Sequence, residues 1–151
     1  MSVVAWDGKW VVTDKRATSP TGGHMKVIKH KLLPDGTILA GVGNYAEVHT
    51  LFEWYGTDDP YPDFQQVDDY NTLLVVTQDG RGYVYSHLPV PLEVFPPFAM
   101  GAGGDLALGA MWAGASASVA VNIACRCNVF CGDGIYHIRV GATEPTEERS
   151  L

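Results

Sequence analysis

Ser2-Val3-Val4-Ala5-Trp6-Asp7-Gly8-Lys9-Trp10-Val11-Val12-Thr13-Asp14 consists of two short apolar runs on either side of an Asp-Gly pair. Glycine takes positive φ without a Cβ penalty, so Asp-Gly between apolar runs predicts a β-hairpin. The dipeptide recurs at Asp35-Gly36, Asp79-Gly80 and Asp133-Gly134. Residues 25–33 and 37–42 flank the second copy, and residues 73–77 and 83–85 the third. The first half therefore reads as antiparallel sheet, with a helix over 45–55 between the second and third hairpins.

Helices return in the second half. Residues 103–112 are rich in Ala and Leu, and Gly114 suits a helix stop. Ser116 suits the N-cap of a further helix running through Val119, Ile123 and Cys125. A last strand over 134–140 precedes a polar tail, 141–151, expected to fray. Sheets with helices segregated to outer layers predict an α+β sandwich. Residues 1–140 read as one domain. The stretch 56–70, with Asp58, Asp59, Asp63, Asp68 and Asp69, reads as a solvated acidic insertion.

The chain has 151 residues, 46% of them hydrophobic and 18% charged, with a formal net charge of −7. This is a globular composition that does not attract nucleic acid or an anionic membrane. No apolar run approaches the roughly 18 residues needed to span a bilayer. The N-terminus has no basic region followed by an apolar stretch, so a cytoplasmic protein is expected. Cys125, Cys127 and Cys131 are odd in number, which suits free thiols in a reducing compartment. Their C-x-C-x3-C spacing lacks the C-x2-C hooks of a zinc site, even if His137 is recruited, so no metal is expected. No cofactor motif is found: Gly101-Ala102-Gly103-Gly104 lacks the Gly-Lys-Ser/Thr ending of a phosphate loop. The histidines are scattered, and Trp6, Trp10, Trp54 and Trp112 read as core or subunit-contact residues.

The run Ser2-Val3-Val4-Ala5-Trp6-Asp7-Gly8 resembles the T-T-I-A-x-x-G start of proteasome β-subunits and of the bacterial ATP-dependent protease peptidase subunit. Val12-Thr13-Asp14-Lys15-Arg16-Ala17-Thr18 is similar to that family's A-x-D-x-R-x-T segment, and Lys26-Val27-Ile28-Lys29 to its K-[VI]-x-[RK] strand. Leu39-Ala40-Gly41-Val42-Gly43 resembles L-A-G-x-G, and Met100-Gly101-Ala102-Gly103-Gly104 resembles I-G-S-G-G. Asn128-Val129-Phe130-Cys131-Gly132 stands where the family has D-x-x-S-G. These matches run in order from residue 2 to about 135, most like the short homologues carried by bacteriophages. The resemblance implies a four-layer αββα N-terminal-nucleophile hydrolase sandwich.

In that superfamily the first residue of the mature chain is both nucleophile and base. A hydroxyl is a poor nucleophile at neutral pH, and a free α-amine, with pKa of roughly 7.7–8.0, can take its proton. The resemblance gives Ser2 this role, once Met1 is removed. While Met1 remains attached, the Ser2 nitrogen is an amide and no base. A buried lysine would stabilise the developing alkoxide and an aspartate would orient that lysine. The resemblance assigns that aspartate to Asp14. For the lysine, the K-V-I pattern favours Lys26, whereas counting back from Ala40-Gly41 across the hairpin favours Lys29. Three apart on one strand, the two would face opposite ways, and Lys26 is preferred. The Gly41 N–H would be the oxyanion donor, and Ala17, Leu39 and Gly43 would shape the substrate pocket.

Ala102 replaces the family's auxiliary serine and cannot hydrogen-bond. Asn128 and Cys131 replace the aspartate and serine that steady the α-amine, and they can accept only through a carbonyl and, weakly, a thiol. Cys131 itself reads as a buried neutral thiol rather than a nucleophile. Three functions follow. The first is a peptidase using Ser2 on peptide or protein substrates, in a homo-oligomer (ring or dimer), with any ATPase partner unspecified. The second is a silent binding or assembly module, in a bacterial host cytoplasm if phage-encoded. The third is a small-molecule amidase on the same fold.

Overall fold

The computed structural model describes residues 2–64, 71–86, 88–142 and 147–149. Met1, His87, and Asp68 and Asp69 of the acidic stretch lie outside them. Among the described residues, two five-stranded sheets and a two-stranded ribbon, all antiparallel, are accompanied by three helices. The first sheet runs in the order β10 (Phe98–Gly101), β1 (Val3–Trp6), β2 (Trp10–Asp14), β11 (Ile135–Arg139) and β12 (Glu147–Arg149). The ribbon pairs β3 (Arg16–Thr18) with β4 (His24–Lys26). The other sheet is β5 (His30–Leu32), β6 (Ile38–Val42), β7 (Thr72–Val76), β8 (Gly82–Tyr85) and β9 (Leu92–Val94).

The period-2 alternation of side chains explains why these strands are apolar throughout. Val3, Ala5 and Val12 pack against helices α2 (Gly104–Trp112) and α3 (Ala117–Cys127). Their neighbours Val4, Trp6 and Val11 meet Ile38, Ala40, Val42 and Leu74 of the other sheet. On the far side, Leu39, Leu73 and Val75 carry helix α1 (Tyr45–Trp54) through Val48, Leu51 and Phe52. Asn44 caps α1 by accepting the Glu47 N–H, and Ser116 caps α3 by accepting that of Val119. The Ala117 N–H goes to Asp7 Oδ2, 2.9 Å away, so the first hairpin turn anchors α3. Trp6 is buried in the core, whereas Trp112 is 74% exposed.

Three expectations are corrected. The strand over 25–33 is broken in two: β4 pairs with β3, a pairing that the Val27 N–H continues to the Lys15 carbonyl at 2.7 Å, and β5 then pairs with β6 in the other sheet. Asp133-Gly134 is not a hairpin turn but part of the loop between α3 and β11, with Asp133 at φ +66. The tail does not simply fray: Glu147–Arg149 pairs with Ile135–His137 as an added edge strand.

Candidate active site

Ser2 stands just before β1, between β10 and β2, and is buried. Its carbonyl accepts the Gly103 N–H at 3.3 Å. Gly101, at φ +98, passes so close that a Cβ there would sit 2.1 Å from the Ser2 carbonyl oxygen. The glycines of Gly101-Ala102-Gly103-Gly104 thus let the turn before α2 close over the Ser2 backbone.

Asp14, the last residue of β2, is fully buried and surrounded by four donors. Oδ1 accepts the Lys29 ammonium at 2.7 Å and the Val3 N–H at 3.1 Å. Oδ2 accepts the N–H of Gly132 at 3.0 Å and of Arg16 at 3.3 Å. Burial pulls the Lys29 ammonium below its ordinary value, and the charge and hydrogen bond of Asp14 oppose that pull. Lys29, not Lys26, is therefore the lysine at Asp14. Lys26 is exposed at the end of the ribbon, in register with Arg16. The sequence preference failed because the ribbon ends between the two lysines and redirects the chain into the second sheet.

Ser2 and Lys29 line one cleft of about 510 Å³, together with Ala17, Val27, Gly41, Gly43 and Tyr45. Leu39 is not in it. Its side chain has no exposure and packs under α1, on the face that β6 turns away from Ala40. The Gly41 N–H donates to the Lys29 carbonyl at 3.0 Å, so the expected oxyanion donor already has a partner. A Cβ on Gly41 would sit 2.3 Å from Val48 Cγ1, which is the packing reason for glycine there.

Asn128 and Cys131 line a neighbouring cleft rather than this one. Asn128 is the C-cap of α3; its Nδ2 donates to the Ala102 carbonyl at 3.0 Å and its Oδ1 accepts the Phe130 N–H at 2.9 Å. It ties the turn before α2 to the loop after α3. Cys131 is buried, its Sγ lying against Gly103, and burial pushes the thiol up to about 11. The three thiols are free. Among the described residues no group of acidic, His or Cys side chains could hold a metal, and no helix is long and apolar enough to cross a membrane.

Sequence reasoning missed a cluster beside the cleft. Asp133 accepts from Arg16 Nε at 3.0 Å and Arg16 Nη2 at 3.3 Å, and it lies 3.0 Å from His24 Nδ1. The signal available was a non-glycine between two glycines, Gly132-Asp133-Gly134, where the dipeptide was read as a turn.

No family model and no curated protein matches this sequence. Solved structures do match. HslV from Trypanosoma brucei is 16% identical, with a TM-score of 0.67 over 91% of this chain and 97% of that one. Thiobacillus denitrificans BPH in complex with epoxomicin is 16% identical, with a TM-score of 0.67 over 99% of each chain. Anbu from Hyphomicrobium sp. strain MC1 is 11% identical, with a TM-score of 0.71 over 99% of this chain and 87% of that one. At such identities the likeness establishes the fold, which is proteasome-like.

Proposed function

We propose that this proteasome-like chain is an N-terminal-nucleophile peptidase that uses Ser2 once Met1 has been removed. The observation that carries the reading is Lys29, paired with the buried Asp14, lining one cleft with Ser2. The freed α-amine takes the Ser2 hydroxyl proton as the oxygen attacks the scissile carbonyl. The tetrahedral intermediate breaks its C–N bond, the leaving amine takes that proton from the α-ammonium, and water then hydrolyses the acyl ester on Ser2. The Lys29 ammonium stabilises the alkoxide, and Asp14 holds the lysine in place. Gly41 serves the oxyanion only by sharing the N–H it now gives to Lys29. The three apolar clusters support the four-layer αββα arrangement. Peptide or protein substrates and a homo-oligomer in the cytoplasm belong to the same proposal.

N-terminal mass spectrometry followed by treatment with an epoxyketone tests it. A chain beginning at Ser2 should form an adduct that is lost in Ser2→Ala and Lys29→Ala and kept in Lys26→Ala. A processed chain that forms no adduct would sink the reading. The silent-module alternative is favoured by one observation: Asn128 lines the neighbouring cleft and not the one that holds Ser2.

A further inference from the structure

We infer that Asp133 is a positioning residue for the Asp14–Lys29 pair, acting through Arg16; the inference rests on the peptidase reading for its catalytic consequence. The two amides that hold Asp14 Oδ2 come from distant parts of the chain, Arg16 at the start of β3 and Gly132 in the loop after α3. Something must keep those segments together, because each bond is lost if either segment drifts. The Lys15 N–H bonds the Gly132 carbonyl at 3.0 Å on the backbone side. On the side-chain side the Arg16 guanidinium lies across Gly132, so close that a Cβ there would be 2.8 Å from its Cζ. From that position it donates twice to Asp133 and once, at 2.9 Å, to the Val129 carbonyl.

Asp133 also binds His24, on the second strand of the ribbon, so one carboxylate grips both strands of the ribbon that edges the cleft. A forked guanidinium–carboxylate contact fixes direction as well as distance. Asp133 is kept at φ +66, a conformation that suits glycine, between two glycines that would serve the turn as well. A turn needing only its shape would favour glycine here. The carboxylate is what glycine would lack.

That conformation makes the test clean. Asp133→Gly removes the carboxylate while relieving the backbone, and Asp133→Asn keeps the side-chain size in a region Asn tolerates. Both are made in the full chain. Melting temperature, turnover of a fluorogenic peptide amide and the NMR titration of Lys29, assigned with Lys29→Met, are measured. In the folded variants Lys29 should titrate about half a unit lower or more, because a displaced Asp14 opposes the pull of burial less well. The kcat of Ser2-dependent turnover should fall about tenfold while the melting temperature of Asp133→Gly stays near that of the parent. If Asp133→Gly does not fold, Asp133→Asn is judged on the same criterion. Unchanged Lys29 titration overturns the inference, whatever turnover does. A parent chain with no Ser2-dependent turnover ends the peptidase reading instead, and the Lys29 titration then decides the positioning by itself.

Discussion

Asp14 Oδ1 is shared between the Lys29 ammonium at 2.7 Å and the N–H of Val3 at 3.1 Å, so one oxygen fixes both the buried charge and the residue after Ser2. Removing the lysine leaves a carboxylate buried with no cation. Lys29→Met should lower unfolding free energy by about 3–5 kcal/mol and abolish any Ser2-dependent activity. The exposed Lys26→Ala should cost no more than about 0.5 kcal/mol. Urea denaturation of the two variants separates them.

Gly101 and Gly80 both have positive φ, +98 and +88, but only Gly101 has a backbone atom in the way of a Cβ. Gly80→Ala should cost about 1 kcal/mol, the strain of the conformation alone. Gly101→Ala adds the collision with the Ser2 carbonyl and should cost about 3 kcal/mol or more. Where it folds, its Ser2 should resist the epoxyketone. Thermal unfolding with labelling reads both effects.

Burial lowers His30 from 6.5 to about 4, with its ring against Tyr136 at 4.8 Å between centroids. The folded state keeps the imidazole neutral, while the unfolded chain takes up a proton below about 6.5. Stability is therefore fully present above that pH and is lost as pH falls toward 4. Between pH 7.5 and pH 5 this group should account for a loss on the order of 2 kcal/mol. Urea midpoints at the two pH values should differ less in His30→Gln.

The thiols should react in a fixed order. Burial raises Cys125 to about 12 and Cys131 to about 11, whereas Cys127 is exposed. Because the thiolate is the reactive form, N-ethylmaleimide at neutral pH should add once to the folded chain, at Cys127. Three additions should appear only in urea, as counted by intact mass.

Strand and helix positions were legible because apolar periodicity and caps are local. The Asp-Gly pairs at 7–8, 35–36 and 79–80 marked real hairpins, and Asn44 and Ser116 cap the helices. What failed was non-local. Whether Lys26 or Lys29 meets Asp14 depends on where the ribbon ends and β5 begins, and spacing does not show that. Leu39 was misassigned because, although it shares a strand face with Gly41, it is packed under α1, and no local pattern shows how much of that face the helix covers. The Asp133–Arg16 contact joins positions 117 residues apart and leaves no mark in either local pattern.

The place of β1 between β2 and β10 also sets a schedule for biosynthesis. Its β2 partner follows within a few residues, but Val3 pairs with Gly101 on the other edge. At about 5–20 residues per second, a ribosome leaves that edge open for roughly 5–20 s. Val3–Trp6 is apolar on both faces, so during this interval the nascent chain carries a sticky, unprotected strand. Slower elongation or colder expression lengthens the exposure, and soluble yield should be governed by this wait as much as by the stability of the finished protein.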